Sequence, residues 1–288
     1  MALPALQALD QALATAVAAV APSVVHVSRG RGGGTGIVWS DDLVISASFH
    51  TPDRTRIGIP TVDGELDERD AEVIGRDPGT DVAVLRVSGG GLTPAAFRDL
   101  DALGVGNLAL AIGRPGRTAR ASLRAIGVLG PEVETPHGGK LERYVESDRQ
   151  IPRGFAGGPL IDAEGKVIGM NTRTLLRGAD LAVTTVTLRR TVDELVKHGG
   201  IRKGYLGVGA YPAGKQDGAL ITSLDDGGPG ATAGLIVGDI ILEVGGAPVT
   251  GPDTLRAAIA ARPGEEVEIA ISRGGAKQTL TATLGSKA

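Results

Sequence analysis

The chain has 288 residues, of which 42% are hydrophobic, and a formal net charge of −3. This length favours two domains, and the hydrophobic fraction is sufficient for packed cores. The absence of cysteine excludes disulfides, thiol catalysis and cysteine-bound zinc. The small net charge gives no global attraction to nucleic acid or anionic membranes. The four histidines lack metal-ligand spacing, so we predict neither a metal site nor a cofactor.

The first residues predict an amphipathic helix that ends at Pro22. Its apolar residues recur at helical spacing, at Leu6, Leu13, Val17 and Val20. No lysine or arginine precedes Arg29, and Asp10 interrupts the apolar stretch, so the segment lacks the pattern of a signal peptide. No apolar run is predicted to span a membrane. We therefore expect a cytoplasmic protein unless a leader has been removed.

Short strands separated by turn residues follow this helix. They include SVVHVSRG, IVWS, LVISAS, two strands around the turn of AEVIGRDPGTDVAVLRV, NLALAIGRP, ASLRAIGVLG, KVIGMNT and LAVTTV. Strands at this density favour β-barrels or sandwiches. One connection, GRPGRTARASLR, carries Arg114, Arg117, Arg120 and Arg124. We interpret it as a solvated loop, with contact to an anion or a nucleic acid as the alternative.

A helical segment, TLRRTVDELVKHGG, then interrupts the strands. One face carries Leu188, Val192, Leu195 and Val196. The pair Gly199-Gly200 can end the helix, which predicts a domain boundary near residue 200. The remaining residues predict two strands, a short helix, a strand, a second helix and two final strands.

Three stretches, in this order, resemble the HtrA-type serine proteases, which are trypsin-like double barrels followed by a PDZ domain. They are GRDPGTDVAVLRV, the stretch from Gly154 to Asn171, and LRRTVDELVKHGGIRKGYLGVG. Three motifs in the family's order are far more specific than one. The resemblance implies a mainly β protein. It consists of a trypsin-like double antiparallel β-barrel with an N-terminal helix (1–200) and a small α+β PDZ domain (201–288). Members of this family are often periplasmic.

The resemblance also locates the family's catalytic triad, and one position lacks the required chemistry. Asp81 stands where the family has its triad aspartate. The nucleophile position is Ala156, whose methyl group cannot attack a carbonyl. The main chain of Gly154, Phe155 and Ala156 is expected to keep an oxyanion hole, because the donors there are backbone amides.

The histidine position decides between a natural loss of catalysis and an engineered serine-to-alanine change at residue 156. Aligning Ser46-Ala47 with the family's Thr-Ala puts Phe49 at the histidine position and His50 one residue later. A shift of one residue reverses side-chain facing in a strand, whereas a bulge would bring His50 into the site. We predict Phe49 in the site, with His50 as the rival.

The C-terminal unit is predicted to bind peptides. The YLGV stretch occupies the place of the PDZ carboxylate-binding loop, where backbone amides hold the C-terminus of a peptide that adds as a strand. The predicted peptide-binding residues are Tyr205, Leu206, Gly207, Val208, Leu255 and Ile259. A PDZ fold that acts only as a spacer remains the alternative.

Three hypotheses for function follow. The first is a non-catalytic HtrA-like pseudoprotease that binds peptides or unfolded proteins as a scaffold or regulator, in bacterial protein quality control. The second is a serine endopeptidase silenced at Ala156, with His50 as its base. The third is a structural assembly partner of an active paralogue. A homo-oligomer also remains open, and no nucleic-acid partner is expected.

Overall fold

The structure is a computed structural model that describes residues 2–29, 32–176, 179–214, 217–260 and 262–287. The chain forms two compact units, Met1–Ile201 and Arg202–Ala288. The elements of the N-terminal unit are α1 (Ala2–Val20), β1 (Val24–Arg29), β2 (Gly32–Val38), β3 (Leu43–Ala47), β4 (Arg54–Pro60), β5 (Leu66–Asp77), β6 (Val82–Val87), β7 (Leu108–Gly113), β8 (Arg120–Gly130), β9 (Val133–Glu134), β10 (Lys140–Leu141), β11 (Tyr144–Ser147), β12 (Pro159–Ile161), β13 (Val167–Leu176), β14 (Ala179–Thr184) and α2 (Thr185–His198).

Most of these strands close into two barrels. The first has the strand order β1-β2-β3-β6-β5-β4, and the second has the order β11-β14-β13-β12-β7-β8. Neighbouring strands in both barrels pair antiparallel. Closure removes the exposed sheet edges that would otherwise invite aggregation. The predicted mainly β architecture with a double antiparallel barrel is confirmed.

The two barrels share a buried layer, which explains why their strands are apolar on both faces. In β1, Val25 and Val27 fill the interior of the first barrel, whereas Val24 belongs to a cluster that also contains Met170 of the second barrel. Strand β3 is buried at every position. Each buried Val, Ile or Leu side chain contributes about 1.5–3 kcal/mol to stability, so this layer fixes the barrels to each other.

Helix α1 packs on this layer with only its C-terminal half. Ala16 and Val20 are buried, but Leu6 is 67% exposed, so its predicted place on the buried face is wrong. By length and composition, the stretch Leu3–Ser23 qualifies as a possible membrane span, a test that N-terminal signal sequences also pass. The prediction that no apolar run is long enough is therefore wrong, because the alanine-rich turns keep the stretch apolar on either side of Asp10.

Helix α2 ends at Gly199, which takes a left-handed conformation (φ 73°) and donates its amide to Leu195 O at 2.8 Å. Its buried face comprises Leu188, Val192 and Leu195. Val196 is 42% exposed, contrary to its predicted place on this face. The next residue along a helix is rotated by about 100°, which turns Val196 away from the barrels.

The C-terminal unit is a small α+β fold, as predicted. Its elements are β15 (Lys203–Tyr205), β16 (Val208–Pro212), β17 (Ala219–Leu224), α3 (Pro229–Thr232), β18 (Ile240–Val244), β19 (Ala247–Pro248), α4 (Pro252–Ala260), β20 (Glu266–Arg273), β21 (Ala276–Thr283) and β22 (Gly285–Lys287). The main sheet has the order β16-β17-β18-β20-β21, with β19 paired to β18, and β15 pairs with β22. Leu255 and Ile259 of α4 join the core of this unit.

A buried ion pair holds two segments of the C-terminal unit together. The Asp239 carboxylate is fully buried and accepts hydrogen bonds from Arg273 Nε and Nη2, both at 2.8 Å, and from the Ile236 amide at 2.9 Å. The hydrogen bonds from Arg273 are the main reason that the pKa of Asp239 is lowered. A lowered carboxyl pKa in the folded state stabilises the fold at neutral pH, and this contribution is lost as the pH falls through the acidic range.

We predict that Asp239→Asn lowers the free energy of unfolding of this unit by about 1.5–3 kcal/mol, because it weakens the charged hydrogen bonds between a fully buried carboxylate and Arg273, whose side chain is 31% exposed. The change is measured by unfolding the full chain in urea and monitoring hydrogen exchange of the amides in residues 202–288. Asp253→Asn is the matched control, since its ion pair with Arg256 is highly exposed and should contribute little. Equal stability of the two variants would contradict the prediction.

Candidate functional site

Asp81 lies just after the turn between β5 and β6 and is 1% exposed. Among the described residues other than glycine, it alone has a positive φ, of 55°, a conformation that aspartate tolerates better than most residues. The turn itself is stabilised by Asp77, whose carboxylate accepts bonds from Gly79 N at 2.9 Å and Thr80 Oγ1 at 2.7 Å. The Asp81 side chain is thus not needed to cap this turn.

The Asp81 carboxylate instead connects the two barrels. Its Oδ1 accepts a hydrogen bond from the Phe49 amide at 3.0 Å, and its Oδ2 accepts one from Thr172 Oγ1 at 2.6 Å. Phe49 follows β3 in the first barrel, whereas Thr172 belongs to β13 in the second. Charge-assisted hydrogen bonds of this kind are stronger than neutral ones, so Asp81 helps to fix the junction between the barrels.

Phe49 and His50 lie in a single 3₁₀ turn, Ser48–His50, at the end of β3. Phe49 presents its main-chain amide to Asp81. Its ring is 41% exposed and contacts the ring of His137, with 5.0 Å between the centroids. His50 is exposed at the end of the turn. The two-residue alternation of a strand does not apply within this turn. Spacing along the sequence therefore does not determine whether Phe49 or His50 faces the site.

The loop around Ala156 is tightly held. Gly154 and Gly157 have φ values of 86° and 85°, and a side chain at Gly157 would collide with the carbonyl oxygen of Thr35. Gly157 N donates to Asn171 O at 2.8 Å, and Thr35 Oγ1 donates to Gly154 O at 2.6 Å. The methyl group of Ala156 therefore sits in a loop whose backbone is fixed by both barrels.

The three amides predicted to form an oxyanion hole differ in their hydrogen bonding. The Phe155 amide donates to Pro152 O at 3.2 Å within the loop, so it is not free to bind an anion. The Phe155 side chain is buried in the core of the second barrel. Within the described parts of the chain, the amides of Gly154 and Ala156 donate to no protein acceptor. The predicted set of three donors thus reduces to two.

Arg29 lies beside this site and was not among the residues predicted from the sequence. Arg29 continues the inward-facing row of Val25 and Val27 on β1, and its guanidinium packs against Gly34. Its Nε and Nη2 are shielded from solvent and find no hydrogen-bond acceptor among the described residues. Burial lowers the pKa of Arg29, and the nearby carboxylate of Asp81 raises it in part. The signal that could have revealed Arg29 is a charge at an inward-facing strand position.

The six predicted peptide-binding residues line one groove of the C-terminal unit. This cavity of 380 Å³ lies between the segment Tyr205–Val208 and helix α4. The carbonyls of Leu206 and Gly207 accept bonds from Gly230 N at 2.7 Å and Asp225 N at 2.9 Å. In the part of the chain that the structure describes, the amides of Leu206 and Gly207 have no protein acceptor. The loop therefore presents two free donors to the groove.

The strand beside this groove has one open edge. Strand β16 is the last strand of its sheet and pairs with β17 on one side only. Its other side faces the groove that α4 closes. An unpaired strand edge offers main-chain donors and acceptors for an added strand.

Throughout the described ranges, no three His, Asp or Glu side chains are grouped as a metal site.

Family models match both units of the chain. A trypsin-like peptidase domain matches residues 34–170, and a PDZ domain matches residues 220–273. Among solved structures, the serine endoprotease from Yersinia pestis is similar over 96% of this chain and 98% of its own, with a TM-score of 0.70 and 25% identity. An HtrA-type protease AlgW, solved with a tripeptide, is 26% identical, with a TM-score of 0.66, over 96% of this chain and 97% of its own.

Curated relatives are similar along most of this chain. Two are named "Probable periplasmic serine endoprotease DegP-like". The protein from Rhizobium meliloti is 30% identical over 90% of this chain, and that from Halomonas elongata is 32% identical over 90%. The chain spans only 54% and 58% of their lengths.

A protein of Synechocystis named "Putative serine protease HhoB" is 33% identical over 89% of this chain and 67% of its own length. Together with the double barrel and the PDZ match, this similarity shows that the chain belongs to the HtrA-type family of trypsin-like serine proteases with a PDZ domain.

Proposed function

We propose that this chain is a non-catalytic member of its family, a pseudoprotease that binds peptides as a scaffold or regulator. The observation that carries the proposal is Ala156 in a loop whose backbone is otherwise well ordered. A serine mechanism needs a hydroxyl nucleophile, a base that takes its proton and a carboxylate that orients the base. Ala156 has no hydroxyl, and no step of covalent catalysis can begin from a methyl group.

The environment of Asp81 supports the same proposal. Its carboxylate accepts hydrogen bonds from a main-chain amide, that of Phe49, and from the hydroxyl of Thr172. The positive charge of Arg29 acts on the same carboxylate. These interactions give Asp81 a structural reason to be present without any catalytic work. On this reading Phe49 occupies the histidine position, and residues 1–200 form a degenerate protease domain.

Peptide binding is assigned to residues 201–288. The groove offers the edge of β16, the two free amides of Leu206 and Gly207, and an apolar floor that includes Leu255. Strand addition with capture of a terminal carboxylate needs these three features. The tripeptide in the solved structure of AlgW, a relative in fold and sequence, is in keeping with such a role.

The rival function is a serine endopeptidase silenced at residue 156. The preserved loop geometry favours it, since the amides of Gly154 and Ala156 remain free to bind an oxyanion. His50 would then have to serve as the base. A role as the assembly partner of an active paralogue is the third candidate, and it predicts mixed oligomers rather than peptide affinity.

We predict that neither the wild-type protein nor Ala156→Ser is labelled by a fluorophosphonate probe or cleaves unfolded casein above background. A serine without its base retains little reactivity, because the triad members fail as a unit. Phe49→His combined with Ala156→Ser is the fairer test of latent activity. Thermal unfolding checks that each variant is folded.

Rapid labelling and turnover by Ala156→Ser would contradict the non-catalytic proposal. The matched variant His50→Ala with Ala156→Ser then identifies the base. If it abolishes the recovered activity, the protein is a silenced enzyme that uses His50.

We also predict that the full chain binds peptides with a free C-terminal carboxylate and an apolar last residue, with micromolar affinity or about −8 kcal/mol. The measurement compares a peptide selected from a C-terminal library with its amidated twin, by fluorescence polarisation. Amidation should weaken binding at least tenfold, since it removes the charge that the free amides would hold. Equal affinity of the twins, or no binding across the library, would favour the spacer alternative.

A further inference from the structure

A second concave site lies at the junction of the two barrels, beside the loop that carries Ala156. This cavity of 630 Å³ is lined by Gly33, residues 115–118, Arg120, Arg153 and Gly154. We call it the arginine pocket, because Arg117, Arg120 and Arg153 are its charged lining residues. Its size lies within the range of sites that bind small ligands or short peptide segments.

The four arginines of the stretch GRPGRTARASLR fall into two groups, which corrects their interpretation as one solvated loop, since Arg120 and Arg124 belong to β8. Arg114 and Arg124 are buried, with 5% and 2% exposure. Arg114 Nε donates to Val24 O at 2.6 Å, and Arg124 donates to the carbonyl of Arg149. The remaining two, Arg117 and Arg120, are exposed and line the pocket. Burial therefore separates two structural arginines from two that are accessible to a ligand.

The walls of the pocket are held in place by hydrogen bonds between the barrels. Thr35 Oγ1 accepts from the Arg114 amide at 2.7 Å and donates to Gly154 O at 2.6 Å. His26 Nδ1 lies 3.2 Å from Arg114 O and can donate to it. These bonds fix the start of the β7–β8 connection against the loop of Gly154. A rim that is already ordered loses little conformational entropy when a ligand binds.

The charge of the pocket is unbalanced. Among the described residues, none that lines it is acidic. Arg117 forms an ion pair with Glu65 at the rim, but Arg120 and Arg153 form no ion pair within the described ranges. Gly154, whose amide donates to no protein acceptor among the described residues, also lines the pocket. Guanidinium groups and amides together are suited to carboxylates, which accept paired hydrogen bonds from arginine.

We propose that the arginine pocket binds an acidic segment of polypeptide through the carboxylates of its aspartate and glutamate side chains. This second peptide site goes beyond the proposed function, because it uses neither the C-terminal groove nor the chemistry of residue 156. A nucleic acid is a poorer match, because the described part of the lining offers no aromatic ring on which a base could stack.

The test measures fluorescence polarisation of a labelled peptide of glutamate and aspartate residues between glycines, acetylated and amidated at its ends, with the full chain at low salt. The amidated end keeps the peptide from using a carboxylate-binding groove. We expect its glutamine and asparagine twin to bind at least tenfold more weakly. The variant Arg120→Gln with Arg153→Gln should also lose at least tenfold in affinity, and added salt should weaken binding.

The matched control is Arg54→Gln with Arg149→Gln, which removes the same charge from exposed arginines outside the pocket. The two double variants are compared at about 0.15 M salt, where exposed charges more than about 8 Å apart are largely screened, so the control should bind within about twofold of the unmodified chain. Equal affinities of the two double variants, or of the acidic peptide and its neutral twin, would overturn the proposal. So would the absence of binding, or tighter binding of a single-stranded oligonucleotide that depends on the same arginines. A failure of the free-carboxylate peptide at the C-terminal groove would leave this result unaffected.

Discussion

The junction between the two barrels is the constraint on which the N-terminal unit depends. An apolar layer shared by both barrels and both helices holds them together, and two polar connections fix their alignment. Asp81 of the first barrel accepts a hydrogen bond from Thr172 of the second, and Thr35 donates one to Gly154. Apolar packing is not directional, whereas hydrogen bonds between buried groups are, so these bonds set the geometry of the cleft.

This constraint fixes the framework of the site independently of the side chain at position 156. Gly157 cannot carry a side chain because the carbonyl of Thr35 lies against it, and Asp81 supports the backbone of Phe49. Such residues are required by the fold whether or not a nucleophile is present. The hydroxyl of a serine at position 156 has no comparable structural duty, since the adjacent backbone is held by main-chain hydrogen bonds. The fold therefore does not require a hydroxyl at this position.

Arginine serves three different purposes in this chain, and its surroundings decide which. Arg114 and Arg124 are buried and donate to main-chain carbonyls, where a planar group with several donors satisfies several acceptors. Arg273 neutralises a buried carboxylate in the C-terminal unit. Arg120 and Arg153 remain at the surface of a cavity, where their charge is available to a ligand. A count of arginines in the sequence does not distinguish these cases.

The amino-acid sequence was sufficient to predict the architecture and to show that residue 156 cannot be a nucleophile. Short strands and turn residues predicted a β-barrel or sandwich, because periodicity and turn chemistry are local properties. The resemblance carried by three motifs implied the double barrel and the C-terminal α+β unit. The identity of residue 156 is likewise independent of its surroundings, since a methyl group is never a nucleophile. The six residues predicted for the peptide groove also line one cavity.

The contacts between residues far apart in sequence are visible only in the tertiary structure. The turn at Ser48–His50 replaces strand alternation with a 3₁₀ geometry, so the relation of Phe49 to Asp81 did not follow from spacing. The charges of Arg29 and Asp81 interact although the two residues are far apart in sequence. Arg153 and Arg120 likewise line the same cavity from distant parts of the chain. The exposure of Leu6 depends on where α1 leaves the barrels. Barrel closure and the packing of two barrels bring together residues far apart in sequence, and no local pattern encodes those contacts.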